Sequence, residues 1–164
     1  MKKVFFLAAA IFVLFPFANA QVIKGRYAIQ NTQTGKNLRP YEAMSDNGNR
    51  IVLYNHVEWK CMTWDFVHLN DNTYQLRNLF TGKTFQPSTK VADGVRLFQQ
   101  PLKADSLQYW QFEKTGDNIF FIKLKGTELY ISLSSKETNS DIVLKAKQKN
   151  AMQTWKLVAQ DPTN

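Results

Sequence analysis

Past residue 25 the apolar side chains recur at alternate positions in short runs. These are Tyr27-Ala28-Ile29, Ile51-Val52-Leu53, Trp64-Asp65-Phe66, Tyr74-Gln75-Leu76, Val95-Arg96-Leu97, Trp110-Gln111-Phe112, Phe120-Phe121-Ile122, Ile142-Val143-Leu144 and Trp155-Lys156-Leu157. On an extended chain that alternation sends one set of side chains to a single face, so each run predicts a half-buried strand. Turn formers punctuate the runs at Gly35, Asn47-Gly48-Asn49, Asn70-Asp71-Asn72, Gly82, Asp93-Gly94, Gly116-Asp117-Asn118, Gly126 and Asn139. No stretch carries a convincing helical period. Many short strands with frequent turns predict an all-β sandwich or barrel.

The spacing of three tryptophans decides between the two. Trp64, Trp110 and Trp155 lie 46 and 45 residues apart, and each stands two positions before Phe66, Phe112 or Leu157. A near-constant period of this size marks an internal repeat. Tyr27-x-Ile29-x-Asn31 and Thr34-Gly35-Lys36 open one unit, and Tyr74-x-Leu76-x-Asn78 and Thr81-Gly82-Lys83 open the next. The third keeps Phe120-x-Ile122, Gly126 and Ile142-x-Leu144 but loses the Asn and shortens the turn. In this reading Val95-x-Leu97 aligns with Ile51-x-Leu53. Units of roughly four strands, at about 25–69, 70–115 and 116–160, bury their apolar faces only on one another, which closure around a three-fold axis achieves with few free edges.

The first twenty residues have another character. Lys2-Lys3, an apolar run over 4–17 and Ala18-Asn19-Ala20 form the tripartite pattern of a secretory leader, 1–20, cut before Gln21. The apolar run is shorter than a spanning helix needs, so no stable membrane span is expected after cleavage. The remaining 21–164 has the size of one domain, and the expected destination is the periplasm, the cell surface or the medium. Cys61 is the single cysteine, which rules out an intrachain disulfide. The formal charge of +8 includes Lys2 and Lys3, and the remaining excess favours anionic partners. Lys145, Lys147 and Lys149 are the densest basic group, and their alternation reads as a solvated strand face; no nucleic-acid partner is expected.

The three units, with Gln108-Tyr109-Trp110 and Gln153-Thr154-Trp155 and with Met62 in place of the Gln in unit one, resemble the ricin B-type lectin family. The phrases Asn31-x-x-Thr34-Gly35-Lys36 and Asn78-x-x-Thr81-Gly82-Lys83 match its wording, and so do Gly48-Asn49-Arg50-Ile51-Val52-Leu53 and Gly94-Val95-Arg96-Leu97. The resemblance, over Gly25 to Ala159, implies a β-trefoil, and the likeness is to a secreted, bacterial-type member with degenerate sugar sites.

In that family a sugar-competent unit combines an early Asp, an aromatic platform after the third strand and an Asn shortly before the Trp. Sugars present hydroxyls to the carboxylate and amide, and C–H faces to the ring. The Asp position falls on or next to Arg39, Gln86 and Ile131 or Ser132, and the Asn position on Cys61, Leu107 and Met152, so the usual galactose geometry is not expected. The platform position falls on Tyr54, Phe98 and Lys145. Unit one is the preferred ligand site, with Tyr54 and Trp59 as apolar surfaces and Arg39, Asn55, His56 and Glu58 as polar contacts. Phe98 and Gln86 form the second choice. Arg39 in place of a carboxylate points to an anionic glycan or polysaccharide, because its fork pairs carboxylates and sulfates. For Trp59 the expected placement is a ring folded back over the barrel mouth, the alternative being an exposed stacking surface.

Neither His56 nor His68 belongs to a Ser-His-Asp order, and no metal-ligand spacing or phosphate-cradling loop is visible. No catalytic residue, metal or cofactor is therefore expected. Two functions remain: a non-enzymatic, lectin-like carbohydrate-binding protein, or a trefoil that binds a protein, as a hydrolase inhibitor or a subunit of an adhesion or toxin complex. In the second, Trp59 and Tyr41 are the expected contacts.

Overall fold

The computed structural model describes residues 22–88, 90–148 and 150–163; the expected leader and Lys149 lie outside these described residues. Twelve strands follow one another in them: β1 (Arg26–Asn31), β2 (Asn37–Pro40), β3 (Ile51–Tyr54), β4 (Thr63–Asn70), β5 (Thr73–Asn78), β6 (Thr84–Pro87), β7 (Leu97–Gln100), β8 (Trp110–Gly116), β9 (Ile119–Leu124), β10 (Leu129–Leu133), β11 (Ile142–Ala146) and β12 (Thr154–Ala159). Three single 3-10 turns, Tyr41–Ala43, Lys60–Met62 and Ser106–Gln108, interrupt them. They are too short to leave a period in the sequence.

Six strands close a barrel. β1 pairs with β4, β4 with β5, β5 with β8, β8 with β9, β9 with β12, and β12 returns to β1, all antiparallel. The other six form three hairpins, β2–β3, β6–β7 and β10–β11. This is the β-trefoil, four strands to a unit, and closure removes the barrel's free edges.

The hairpins are joined to one another around the axis. Single bridges link Arg50 to Phe98, Arg96 to Val143 and Asp141 to Val52. The cycle makes Arg50, Arg96 and Asp141 equivalent, and hence Ile51, Leu97 and Ile142. Expected alignment of Val95-x-Leu97 with Ile51-x-Leu53 is therefore two residues out of step. Phe98 takes the place of Val52, and the residue equivalent to Tyr54 is Gln100. Asp141 holds both arginines, at 2.6 Å from Arg50 and 3.0 Å from Arg96.

Trp64, Trp110 and Trp155 are fully buried at the heart of the barrel. Trp64 Nε1 donates to the Leu38 carbonyl and Trp155 Nε1 to that of Ile131, which ties barrel to hairpin in units one and three. Asn31 and Asn78 serve the turns: each side-chain oxygen accepts two backbone N–H groups of its turn, and the amides donate to the Ala151 and Cys61 carbonyls in the turns that lead into β12 and β4. The glycines of Thr34-Gly35-Lys36 and Thr81-Gly82-Lys83 hold φ of 67° and 68°, the left-handed conformation that only glycine adopts cheaply. In unit three the Thr127 hydroxyl takes over, donating to the Leu124 carbonyl and accepting from Leu129 N–H.

Candidate functional site

The side chain two places before each Trp, Met62, Gln108 or Gln153, governs how the loop after each hairpin is held. Gln153 Nε2 donates to the Ala146 carbonyl (2.9 Å) and its Oε1 accepts from Gln148 N–H (2.6 Å). Gln108 Nε2 donates to the Pro101 carbonyl and to Gln86 Oε1, and its Oε1 accepts from Lys103 N–H and Gln75 Nε2. Met62 offers only a thioether to this task, met by Asn37 Nδ2 at 3.9 Å. Loop 55–59 is thus released from the pin that fastens its two counterparts.

Arg39 and Tyr54 come together in the hairpin beside that loop. Register sets Arg39 against Val52 and Tyr54 against Asn37, so Arg39 and Tyr54 are diagonal neighbours on one face. The guanidinium carbon lies 3.5 Å from the Tyr54 ring centroid. Arg39 is 6% exposed and its Nε is buried without a partner; the side chain donates to no oxygen or nitrogen of the described residues. Stacking on the ring supplies part of what a carboxylate would give a buried cation. Cys61, also buried, adjoins the same guanidinium. Burial pushes its thiol pKa up while the nearby Arg39 charge opposes, and the upward effect prevails, so the thiol stays protonated and unreactive at neutral pH.

Asn37 extends the cluster to His56. Its Nδ2 donates to His56 Nδ1 at 2.7 Å, and its fully buried Oδ1 has no partner. Asn55 reaches across to unit three, its Oδ1 at 3.5 Å from the Thr138 hydroxyl. Glu58 is exposed and forms no ion pair with a described residue.

Trp59 does not fold back over the barrel mouth. It is 40% exposed and, with Ala43, Lys60, Cys61 and Phe80, lines an apolar cleft of about 270 Å³. Phe80, 56% exposed, was not anticipated. Its signal was present, since it stands in the Asn78 turn where the matching Asn31 turn has the polar Gln33. Cys61 belongs to both settings, beside Arg39 and on the cleft wall. Tyr54 and Trp59, expected as two walls of one site, therefore sit on adjoining ones.

Unit two is built differently. Gln86 faces Phe98 in the β6–β7 register, and its Oε1 is committed to Gln108. The triplets at the family's three sugar positions are Arg39, Tyr54 and Cys61; Gln86, Gln100 and Leu107; and Ser132, Lys145 and Met152. Ser132 rather than Ile131 occupies the early position, because Ser132 pairs with Val143 as Arg39 pairs with Val52. Tyr54 is the only aromatic among the nine.

The fold's likeness to known proteins is broad. A designed three-fold symmetric protein, ThreeFoil, superposes with a TM-score of 0.78 at 20% identity, covering 82% of this chain and 98% of that one. An exo-β-1,3-galactanase from Clostridium thermocellum gives 0.78 at 24% identity, over 82% of this chain but only 30% of the enzyme. The Macrolepiota procera ricin B-like lectin, solved with lactose, gives 0.71 at 21% identity, over 87% of this chain and 100% of the lectin. At these identities the likeness concerns the fold. No curated protein sequence matches the chain. The model of the ricin-type β-trefoil lectin domain-like family matches residues 14–100, more than half of the 164. With its closed barrel, three hairpins and three buried tryptophans, the chain belongs to that ricin-type β-trefoil lectin domain-like family.

Proposed function

We propose that the chain is an exported, non-catalytic carbohydrate-binding protein that takes acidic glycans at unit one. The observation that carries this reading is the Arg39 guanidinium, buried against Tyr54 with no carboxylate among the described residues to neutralise it. A uronate, sialyl or sulfate group supplies the missing anion, and Arg pairs such groups through two parallel N–H donors. His56 and Asn55 are the neighbouring polar contacts. The family membership supports carbohydrate as the ligand class, as does the lactose-bound Macrolepiota lectin. With only unit one equipped, affinity per chain is modest and rises on multivalent surfaces. A glycan array carrying uronate, sialylated, sulfated and neutral oligosaccharides tests the reading. Acidic glycans are expected to be retained; a chain that binds none of them refutes it.

A second reading rests on the Trp59–Phe80 cleft, whose lining gives a sugar almost no hydrogen-bonding partner. Two exposed aromatics beside one cationic side chain suit an aliphatic or aromatic anchor of a protein partner. In that case the chain is an inhibitor or a subunit of a larger complex. The two readings separate by mutation: Trp59→Ala with Phe80→Ala would abolish partner binding and leave glycan binding intact, and Arg39→Met would do the reverse.

A further inference from the structure

At the end of the barrel away from the hairpins, aromatic side chains form a nearly complete ring. The strand positions two after each Trp contribute Phe66, Phe112 and Leu157, and the opening positions of the units contribute Tyr27, Tyr74 and Phe120. The aromatic members meet edge to face or tilted, with centroids 5.5 Å apart for Tyr27–Phe66, 5.1 Å for Phe66–Phe112 and 5.8 Å for Phe112–Phe120. Leu157 breaks the series. A cavity of about 440 Å³ opens there, between Tyr27, Tyr74, Phe112, Phe120 and Leu157. The chain's own Val22-Ile23 edges it, pinned by Ile23 N–H donating to the Tyr74 hydroxyl at 2.9 Å.

The polar rim is selective. Asn72 and Asn118 spend their amides on the Phe112 and Leu157 carbonyls, and the Tyr27 hydroxyl donates to the Lys24 carbonyl. The charged groups left for a ligand are the ammonium groups of Lys24 and Lys114 and the carboxylate of Asp117, none of them in an ion pair with another described residue. Two cations to one anion over an aromatic floor fit a molecule with a ring below and a negative head above.

We propose that the barrel mouth is a second binding site, for a small aromatic anion whose ring fills the gap left by Leu157 and whose head meets Lys24 and Lys114. The site is independent of the glycan site, which lies on the hairpin face. Fluorescence titration of the mature chain with 8-anilinonaphthalene-1-sulfonate, and with the uncharged N-phenyl-1-naphthylamine, tests it. The sulfonate is expected to saturate at one site per chain. Leu157→Phe, which supplies the sixth aromatic, abolishes that binding. Lys24→Gln with Lys114→Gln weakens the sulfonate at least fivefold and leaves the uncharged probe unchanged. Phe80→Ser, which alters the other apolar cleft, has no effect. Both lysines are exposed, so the double variant decides the matter even if Leu157→Phe fails to fold. Absence of saturable binding, loss of binding in Phe80→Ser, or full sulfonate binding in the lysine variant overturns the proposal.

Discussion

Arg39 is unfavourable for the fold and, in the proposed function, useful to the site. Burying a guanidinium without a carboxylate is costly, and a stacked ring returns only about 0.5–2 kcal/mol. Arg39→Met keeps the stem and the contact with Tyr54 while discarding the charge. Urea unfolding is expected to show this variant within about 1 kcal/mol of the parent or more stable, whereas a structural role for the charge would show as a clear loss. Glu113 is the opposite case. Burial raises its carboxyl pKa, but hydrogen bonds from Lys147 and Lys123, with their charges, outweigh burial and hold it below the usual carboxylate range. A depressed carboxylate contributes stability above its unfolded pKa of about 4.3 and loses it as pH falls through the folded value. The deficit of Glu113→Gln in thermal unfolding is therefore expected to be present at pH 7 and to shrink on acidification below about pH 4. A deficit that persists unchanged in acid would assign the loss to packing.

Among the elements, the loops after the hairpins differ because of one atom type. Gln108 and Gln153 present a donor and an acceptor to main-chain groups, and Met62 presents sulfur. Gln153→Met is expected to cost about 1–3 kcal/mol by leaving buried backbone groups unpaired, and to raise amide exchange at 146–148 toward that of 55–59. Equal exchange in both loops of the parent would contradict the pinning role. Much at this scale could be read from residue types alone: the strands from alternation, the turns from Asn31 and Asn78 with their glycines, and the buried rings from tryptophan spacing. The register of β7 could not. Sliding a strand by two residues keeps every side chain on its own face, and because the buried Gln99 stands where unit one has Leu53, apolar alternation favours Val95-x-Leu97 over the true Leu97-x-Gln99. Only the bridges around the axis distinguish them, and they replace Phe98 by Gln100 as the counterpart of Tyr54. Partner choice for Trp59 was equally out of reach, because the proximity of Phe80 depends on how two units pack.

The whole molecule is closed around its axis by contacts that are alike in backbone and unlike in charge. Arg50 and Arg96 occupy two of three equivalent positions, and Asp141 neutralises both from the third. Asp141→Asn leaves two cations facing each other; a destabilisation of about 1–3 kcal/mol is expected, larger at low salt, with denaturant unfolding as the measure. A neutral outcome would show that the backbone bridges suffice to lock the hairpins. That asymmetry within a symmetric frame extends to the sites, since the diagonal pair of positions held by Arg39 and Tyr54 in unit one is Gln86 and Gln100 in unit two and Ser132 and Lys145 in unit three. The most direct measurement is calorimetric titration of the chain and of Arg39→Met with a uronate-, sialic acid- or sulfate-bearing oligosaccharide and its neutral counterpart. The parent is expected to bind the acidic sugar and the variant to lose at least tenfold, about 1.4 kcal/mol, with its fold intact. No binding by the parent, or equal binding by the variant, would contradict recognition through Arg39.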